Sequence, residues 1–309
     1  METSLQEFFD TLDSLYEKGD PKAVENFLLK QAIINTGCGR AYSEAEVIIY
    51  NELGSFYRGI GKLDKSIASY MESKAIVEAH IGVKTFEYAT IINNLAGTYR
   101  LKGEYETAIS LFKEALGVYE ETVSRESYYY SSALNNLSLV YRDLNDLDHA
   151  ETYLRKAMAI IKGKQGMEEE YAIAHANLGA IYIARKDYDE AEKQLKRSLA
   201  IYTSLPGGYN PIHFAALYNS LGILKAAQLK FDESIKDLDY SRKLVLSING
   251  KSLEYADACL SIARIYKVQE KLEDAKRELL EAKAALEALG IKDGRQYEEI
   301  IKELEELPQ

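Results

Sequence analysis

Three copies of one polar pair stand 42 residues apart: Asn51 with Arg58, Asn93 with Arg100, and Asn135 with Arg142. In each copy an intervening residue (Ser55, Gly97 or Leu139) completes an i, i+4, i+7 stripe, which is one face of a helix. The chemistry of such a stripe suits a polypeptide ligand. An Asn side chain carries N–H donors and an acceptor oxygen, so it can bind a peptide bond without reading the side chain beside it. An Arg side chain offers a planar fork that matches a carboxylate. Asn94 and Asn136 flank the stripe, and Asn177 and Asn219 extend the candidate set into later copies. A structural reading of the same residues stays open. Asn side chains can bond between adjacent helices and fix their pitch, and the Arg can pair with Asp143 or Glu52 of the same wall. A surface ion pair of that kind contributes only ~0–1 kcal/mol.

Residues arranged for enzyme chemistry do not occur. No Gly-rich phosphate loop, nucleophile elbow or metal-binding helix motif is present. His80, His149, His175 and His213 are isolated, with no Cys or second His at ligand spacing. Cys38 and Cys259 are far apart and read as reduced packing residues. The acidic runs Glu168-Glu169-Glu170 and Glu298-Glu299, with Glu303, Glu305 and Glu306, read as solvated faces. No catalytic residue, metal or cofactor is expected.

A net charge of −11 over 309 residues argues against general affinity for nucleic acid or an anionic membrane. No apolar run approaches the ~20 residues that a membrane-spanning helix needs. The segment Met1-Glu2-Thr3-Ser4-Leu5 lacks the basic and apolar regions of a secretory signal, so a cytoplasmic location is expected. Tyr is unusually common, at 24 against 8 Phe.

The elements that carry the stripe are helices in pairs. Leu53, Leu95, Leu137, Leu178, Leu221 and Ile262 are spaced by 42, 42, 41, 43 and 41 residues. Around these anchors the apolar periodicity predicts first helices at 43–60, 85–102, 126–144, 168–185, 210–228 and 252–269. Second helices are predicted at 63–79, 105–122, 147–162, 188–203, 231–247 and 272–289. Before them, residues 1–40 read as a degenerate helical hairpin broken at Gly19-Asp20-Pro21 and ended by Thr36-Gly37-Cys38-Gly39. After them, a helix over about 293–307 carries Tyr297, Ile300, Ile301 and Leu304 on one side. The expected organisation is a capping hairpin (1–40), a six-repeat region (41–290) and a capping helix (291–309), because the end of a repeat stack otherwise leaves an apolar face uncovered.

These words resemble tetratricopeptide repeats, in which a small residue follows a Leu, then come a Tyr and a later Ala. The second repeat reads Leu95, Ala96, Tyr99, Ala108, Phe112, Ala115, and the sixth Ile262, Ala263, Tyr266, Ala275, Leu279, Ala282. The fifth repeat departs most, with Lys225 in place of the Tyr and Ser234 in place of the first Ala. The 41–43 period exceeds the usual 34. That lengthened form, with Asn-Asn-Leu before the Tyr, is similar to kinesin light chain repeats and to the peptide-sensing regulators of Gram-positive bacteria. The resemblance implies an all-α, right-handed α-α superhelix whose first helices line a concave groove. By repeat position, groove residues that hold peptide backbone and acidic groups in such proteins correspond to Asn51, Asn93, Asn135, Arg58, Arg100 and Arg142.

Within that frame Leu53 and Tyr57, or Leu95 and Tyr99, face neighbouring helices, and Gly54 and Ala96 are small because a partner helix crosses there. The recurring Tyr88, Tyr130, Tyr171, Phe214 and Tyr255 are expected to bury their rings between repeats with the hydroxyls left wet. Along the groove the stripe becomes apolar at Ala176, Ala180 and Ile183, stays mostly so at Asn219, Ile223 and Ala226, and turns mixed at Asp257, Arg264 and Lys267. The function expected is a non-catalytic scaffold for an extended or helical, partly acidic peptide segment of another protein. The alternative is a self-assembling protein whose groove its own chain or a second copy fills.

Overall fold

The structure, a computed structural model, describes residues 4–36, 44–205, 208–292 and 294–308. Fifteen α-helices and no strand occupy these residues. An opening pair, α1 (Leu5–Glu17) and α2 (Pro21–Thr36), precedes six longer hairpins. These are α3 (Glu44–Gly59) with α4 (Leu63–His80), α5 (Phe86–Lys102) with α6 (Tyr105–Thr122), and α7 (Tyr128–Asp143) with α8 (Leu147–Ile161). Then come α9 (Glu168–Ala184) with α10 (Tyr188–Ser204), α11 (Pro211–Ala227) with α12 (Phe231–Asn249), and α13 (Leu253–Val268) with α14 (Leu272–Ala288). A final helix, α15, spans Arg295–Glu305. The expected boundaries of the twelve repeat helices lie within two residues of these. Gly37, Cys38 and Gly39, read as the end of α2, lie outside the described residues.

The chain divides into two compact units, Met1–Thr122 and Val123–Gln309. In the first, α2 packs on α3 and α4 on α5; in the second, α8 packs on α9, α10 on α11, α12 on α13 and α14 on α15. Within a unit these second helices thus touch both their own partner and the helix that follows, as the two apolar faces of a hairpin require.

The hairpins close at two crossings of small residues. At one, Gly54, Gly179 and Gly222 lie under Tyr70, Leu195 and Leu238, and a Cβ on any of these glycines would come 2.6 Å from the covering side chain. Where Ser stands opposite a glycine, it donates to the glycine's carbonyl: Ser66 Oγ to Gly54 O at 2.7 Å and Ser234 Oγ to Gly222 O at 2.6 Å. Ser234, the departure noted in the fifth repeat, is therefore fully buried with its hydroxyl satisfied. At the other crossing Ser73, Ser131, Ser198 and Ser241 each donate across the hairpin to the carbonyls of Val47, Ala157, Ala172 and Ala215. The other departure, Lys225, places its Nζ 2.7 Å from Asp237 Oδ2 and 3.6 Å from Glu233 Oε2, so an ion pair replaces the usual aromatic packing.

Successive first helices also approach one another: α3 meets α5 in the first unit, and α7, α9, α11 and α13 meet in sequence in the second. Second helices make no pairing of that extent among the described residues. The first helices therefore lie on the inner side of each unit's curvature, which makes their solvent-facing stripe a concave wall.

Candidate functional site

In the first unit the polar stripe is a bonded cluster. Asn94 Nδ2 donates to Asn51 Oδ1 at 3.1 Å, and Asn51 Nδ2 donates to Glu52 Oε1 at 3.3 Å. Arg58 reaches from α3 to α5, where its guanidinium donates to Asn94 O at 3.3 Å. A Cβ on Gly97 would stand 3.2 Å from that guanidinium, so the glycine in the stripe gives the arginine its path. Asn93 is half-buried, and its Oδ1 accepts no hydrogen bond from any described residue. Arg100 is half-buried too.

In the second unit Asn177 Nδ2 donates to Asn135 Oδ1 at 3.0 Å, the same bond one repeat step apart as Asn94 to Asn51. Arg142 donates to Asp143 Oδ1 at 3.1 Å. Asn136 and Asn219 are half-buried, and Asn219 Oδ1 is enclosed without a donor among the described residues. The structure thus gathers Asn51, Asn94 and Arg58 in one place and Asn135 and Asn177 in another. The inter-helix bonding of Asn and the Arg142–Asp143 pair are both present. Asn94, Asn135 and Asn177 each spend one donor or one lone pair in these bonds, Asn51 spends one of each, and Arg58 spends one of five N–H groups, so capacity for a ligand is left over.

The aromatic positions at the first-helix starts anchor their hydroxyls on carboxylates. Tyr88 and Tyr255 are buried, and their hydroxyls donate to Glu114 Oε1 at 2.7 Å and Glu281 Oε1 at 2.8 Å. Both acceptors lie on the second helix of the same hairpin, because the start of a first helix faces the later half of its antiparallel partner. A parallel device joins hairpins: Tyr57 donates to Glu25 and Tyr182 to Glu151, at 2.9 and 2.8 Å. Burial pulls the Glu151 carboxyl up, but the bonds from Tyr182, Arg155 and Arg185 outweigh it and hold the group below its ordinary value.

Three of the four histidines have a side-chain partner in view. His175 is buried with Nδ1 2.7 Å from Gln194 Oε1, and burial lowers its pKa. His149 faces Asp146 at 2.7 Å, and His213 faces Glu169 at 3.2 Å. Cys259 is buried and its thiol is pushed up to about 11 by desolvation, the opposite of an activated nucleophile. Among the described residues no three His, Cys, Asp or Glu side chains cluster as metal ligands, and no helix is long and apolar enough to cross a membrane.

Sequence reasoning missed one part of the wall. The acidic residues of α15, read as solvated, face α13: Glu299 and Glu303 take Arg264 at 2.6 and 2.7 Å, and Glu303 and Glu306 take Lys267 at 2.7 and 3.3 Å. Gln296 donates to Asp257 Oδ1 and to Leu253 O. Burial raises the Glu303 carboxyl, but bonds from Lys267 and Arg264 outweigh it and lower its pKa. On its other side α15 buries Ile300, and the residue Leu307 just beyond it is buried too, in the core shared with α14. The one sequence signal was spacing. Gln296, Glu299, Glu303 and Glu306 lie at i, i+3, i+7 and i+10, a single helical face.

Comparison with known proteins fits this geometry. A family model described as tetratricopeptide repeat matches residues 45–121, 87–163 and 170–219, which together exceed half of the chain. The chain belongs to the tetratricopeptide repeat family. No curated protein sequence matches significantly. Solved structures of similar fold include NprR in complex with its cognate peptide NprX, at TM-score 0.70 and 15% identity over 98% of this chain and 82% of that one. A Rap protein complexed with Competence and Sporulation Factor aligns at TM-score 0.65 and 16% identity, over 99% and 87% of the two chains. Kinesin light chain repeats from Podosopora anserina align at TM-score 0.50 and 17% identity, over 67% and 98%. At these identities the likeness is one of fold: an all-α tetratricopeptide solenoid of long repeats, the architecture of protein-interaction scaffolds.

Proposed function

We propose that the concave walls formed by the first helices bind an extended or helical peptide segment of another protein. The observation that carries this reading is the polar cluster of Asn51, Asn94 and Arg58, half-buried on adjoining first helices and left with unused hydrogen-bonding capacity. Asn93, Asn135, Asn136, Asn177 and Asn219 provide amides for the ligand's backbone, and Arg58, Arg100 and Arg142 provide forks for its carboxylates. Support of a different kind comes from the similar folds of NprR and the Rap protein, whose structures hold a cognate peptide and Competence and Sporulation Factor.

The test is affinity capture from the native host with Arg58, Arg100 and Arg142 all changed to Ala. Recovery of partners is expected to collapse, and binding by the unaltered protein is expected to weaken as salt rises. Unchanged recovery would overturn the assignment of the arginines. The alternative, a groove occupied by the chain itself, has one observation in its favour: α15 satisfies the two cations of α13. Removing residues 291–309 and finding no change in capture would confine α15 to a structural role.

A further inference from the structure

The inner wall of the second unit has an apolar middle and, at its α13–α15 end, an excess of acid. Ile173, Ala180 and Ile183 of α9 are half-buried on the concave side, Ala216 of α11 is exposed, and Ile223 of α11 is 37% exposed. The exposed parts of these side chains suit an apolar occupant. Beyond it, Arg264 and Lys267 would make the α13 wall basic, but α15 reverses that sign. Glu299, Glu303 and Glu306 set three carboxylates against those two cations, and Asp257, which burial pushes up to about 7, adds part of a fourth negative charge. The inward stripe of α15 therefore continues the wall of first helices. Glu299 and Glu306 remain 41% and 52% exposed at the side chain after pairing.

Resting on the peptide-binding function above, we propose that this wall takes a partner segment that lays apolar side chains on α9 and α11 and turns Lys or Arg toward Asp257, Glu299 and Glu306. Charge complementarity selects this occupant. An acidic segment would meet repulsion from the excess negative charge at the α15 end, and a neutral one would gain nothing from it.

The test uses two fluorescein-labelled amphipathic peptides with identical Leu and Ala positions, one with Lys and one with Glu on the polar face, read by fluorescence anisotropy on the full chain. The Lys peptide is expected to bind about tenfold more tightly than the Glu peptide. The variant Asp257→Asn, Glu299→Gln, Glu306→Gln keeps the shapes and hydrogen-bonding atoms, and circular dichroism reports whether it folds. It is expected to abolish most of that preference. A control with the same change in net charge, Glu106→Gln, Glu270→Gln, Glu273→Gln, is expected to retain it. Ile223→Asp is expected to weaken both peptides. Equal binding of the two peptides, tighter binding of the Glu peptide, or an equal effect of the control variant overturns the charge assignment while leaving peptide binding itself standing. Binding of neither peptide overturns the underlying function in this unit. A concentration-dependent dimer that Ile223→Asp disrupts overturns the proposal by making a second copy the occupant.

Discussion

At the scale of single residues, the repeat tolerates variation only where the hairpin crossing can absorb it. Gly222 lies under Leu238, and a Cβ there would come 2.6 Å from Leu238 Cγ and 3.2 Å from Ser234 O. Leu238 and Ser234 are fully buried, so neither can move into solvent. Gly222→Ala is expected to cost roughly 1–3 kcal/mol through overpacking, measured as a lower urea midpoint. In contrast, Ser234→Ala is expected to cost about 1 kcal/mol or less, because it removes the bond to Gly222 O without adding volume. The same residue-scale view divides the labour of the Asn stripe. Asn94 and Asn177 tie neighbouring first helices through Asn51 and Asn135, so these side chains set inter-repeat geometry whether or not a ligand is bound. A ligand-binding role rests on the atoms that those bonds leave over.

At the scale of elements, every hairpin turns through one residue with positive φ at the same repeat position: Gly61, Gly103, Asn145, Lys186, Leu229 and Glu270. Leu229 holds φ +62° and is 72% exposed, so its side chain adds strain without adding buried area. Leu229→Gly is expected to stabilise the second unit by roughly 0.5–1 kcal/mol, read as a rise of a few degrees in thermal midpoint. Glycine at two of these turns is an ordinary helix-stop signal, but Lys186, Leu229 and Glu270 carry none, so the repeat period and not turn chemistry marks these turns in the sequence. Helix positions were legible for a related reason. Leu53 through Ile262 mark a repeat that local periodicity confirms at each copy. The site was only partly legible. That Asn51, Asn93 and Asn135 share one face follows from helical spacing alone. That Asn94 bonds to Asn51, or that Glu303 bonds to Lys267, depends on contacts 36 to 43 residues apart in the chain. Those contacts are fixed by how hairpins stack, and α15 joins the wall only because the stack presents α13 and α14 to it.

At the scale of the whole molecule, a chain with net charge −11 would be expected to gain stability as acid reduces its self-repulsion, yet its bonded carboxylates point the other way. Glu25, Glu151 and Glu303 are raised by burial, but the hydrogen bonds that each accepts from Tyr, Lys or Arg partners outweigh that and hold all three below the ordinary value of 4.5. In the unfolded chain they return to that value. Their stabilisation is therefore complete above about pH 4.5 and is lost as pH falls through the lower native values, because the unfolded state takes up protons first. His175 acts at higher pH with the same sign. Burial lowers its pKa from 6.5, so its contribution is complete above about pH 6.5 and drains as the pH falls below it. Glu52 and Asp257 work in the opposite sense, since burial raises both, Asp257 to about 7, and the folded state binds their protons first, which offsets part of the His175 decline. Thermal denaturation followed by circular dichroism from about pH 8 to about pH 3 is expected to show two declines, a shallow one below about pH 6.5 and a steeper one below about pH 4.5. In His175→Gln the midpoint at high pH is expected to change with the altered packing, but the shallow decline is expected to vanish while the steep one stays. If the shallow decline persists unchanged in that variant, the histidine is not its source, and the neutral His175–Gln194 contact contributes nothing that protonation can remove.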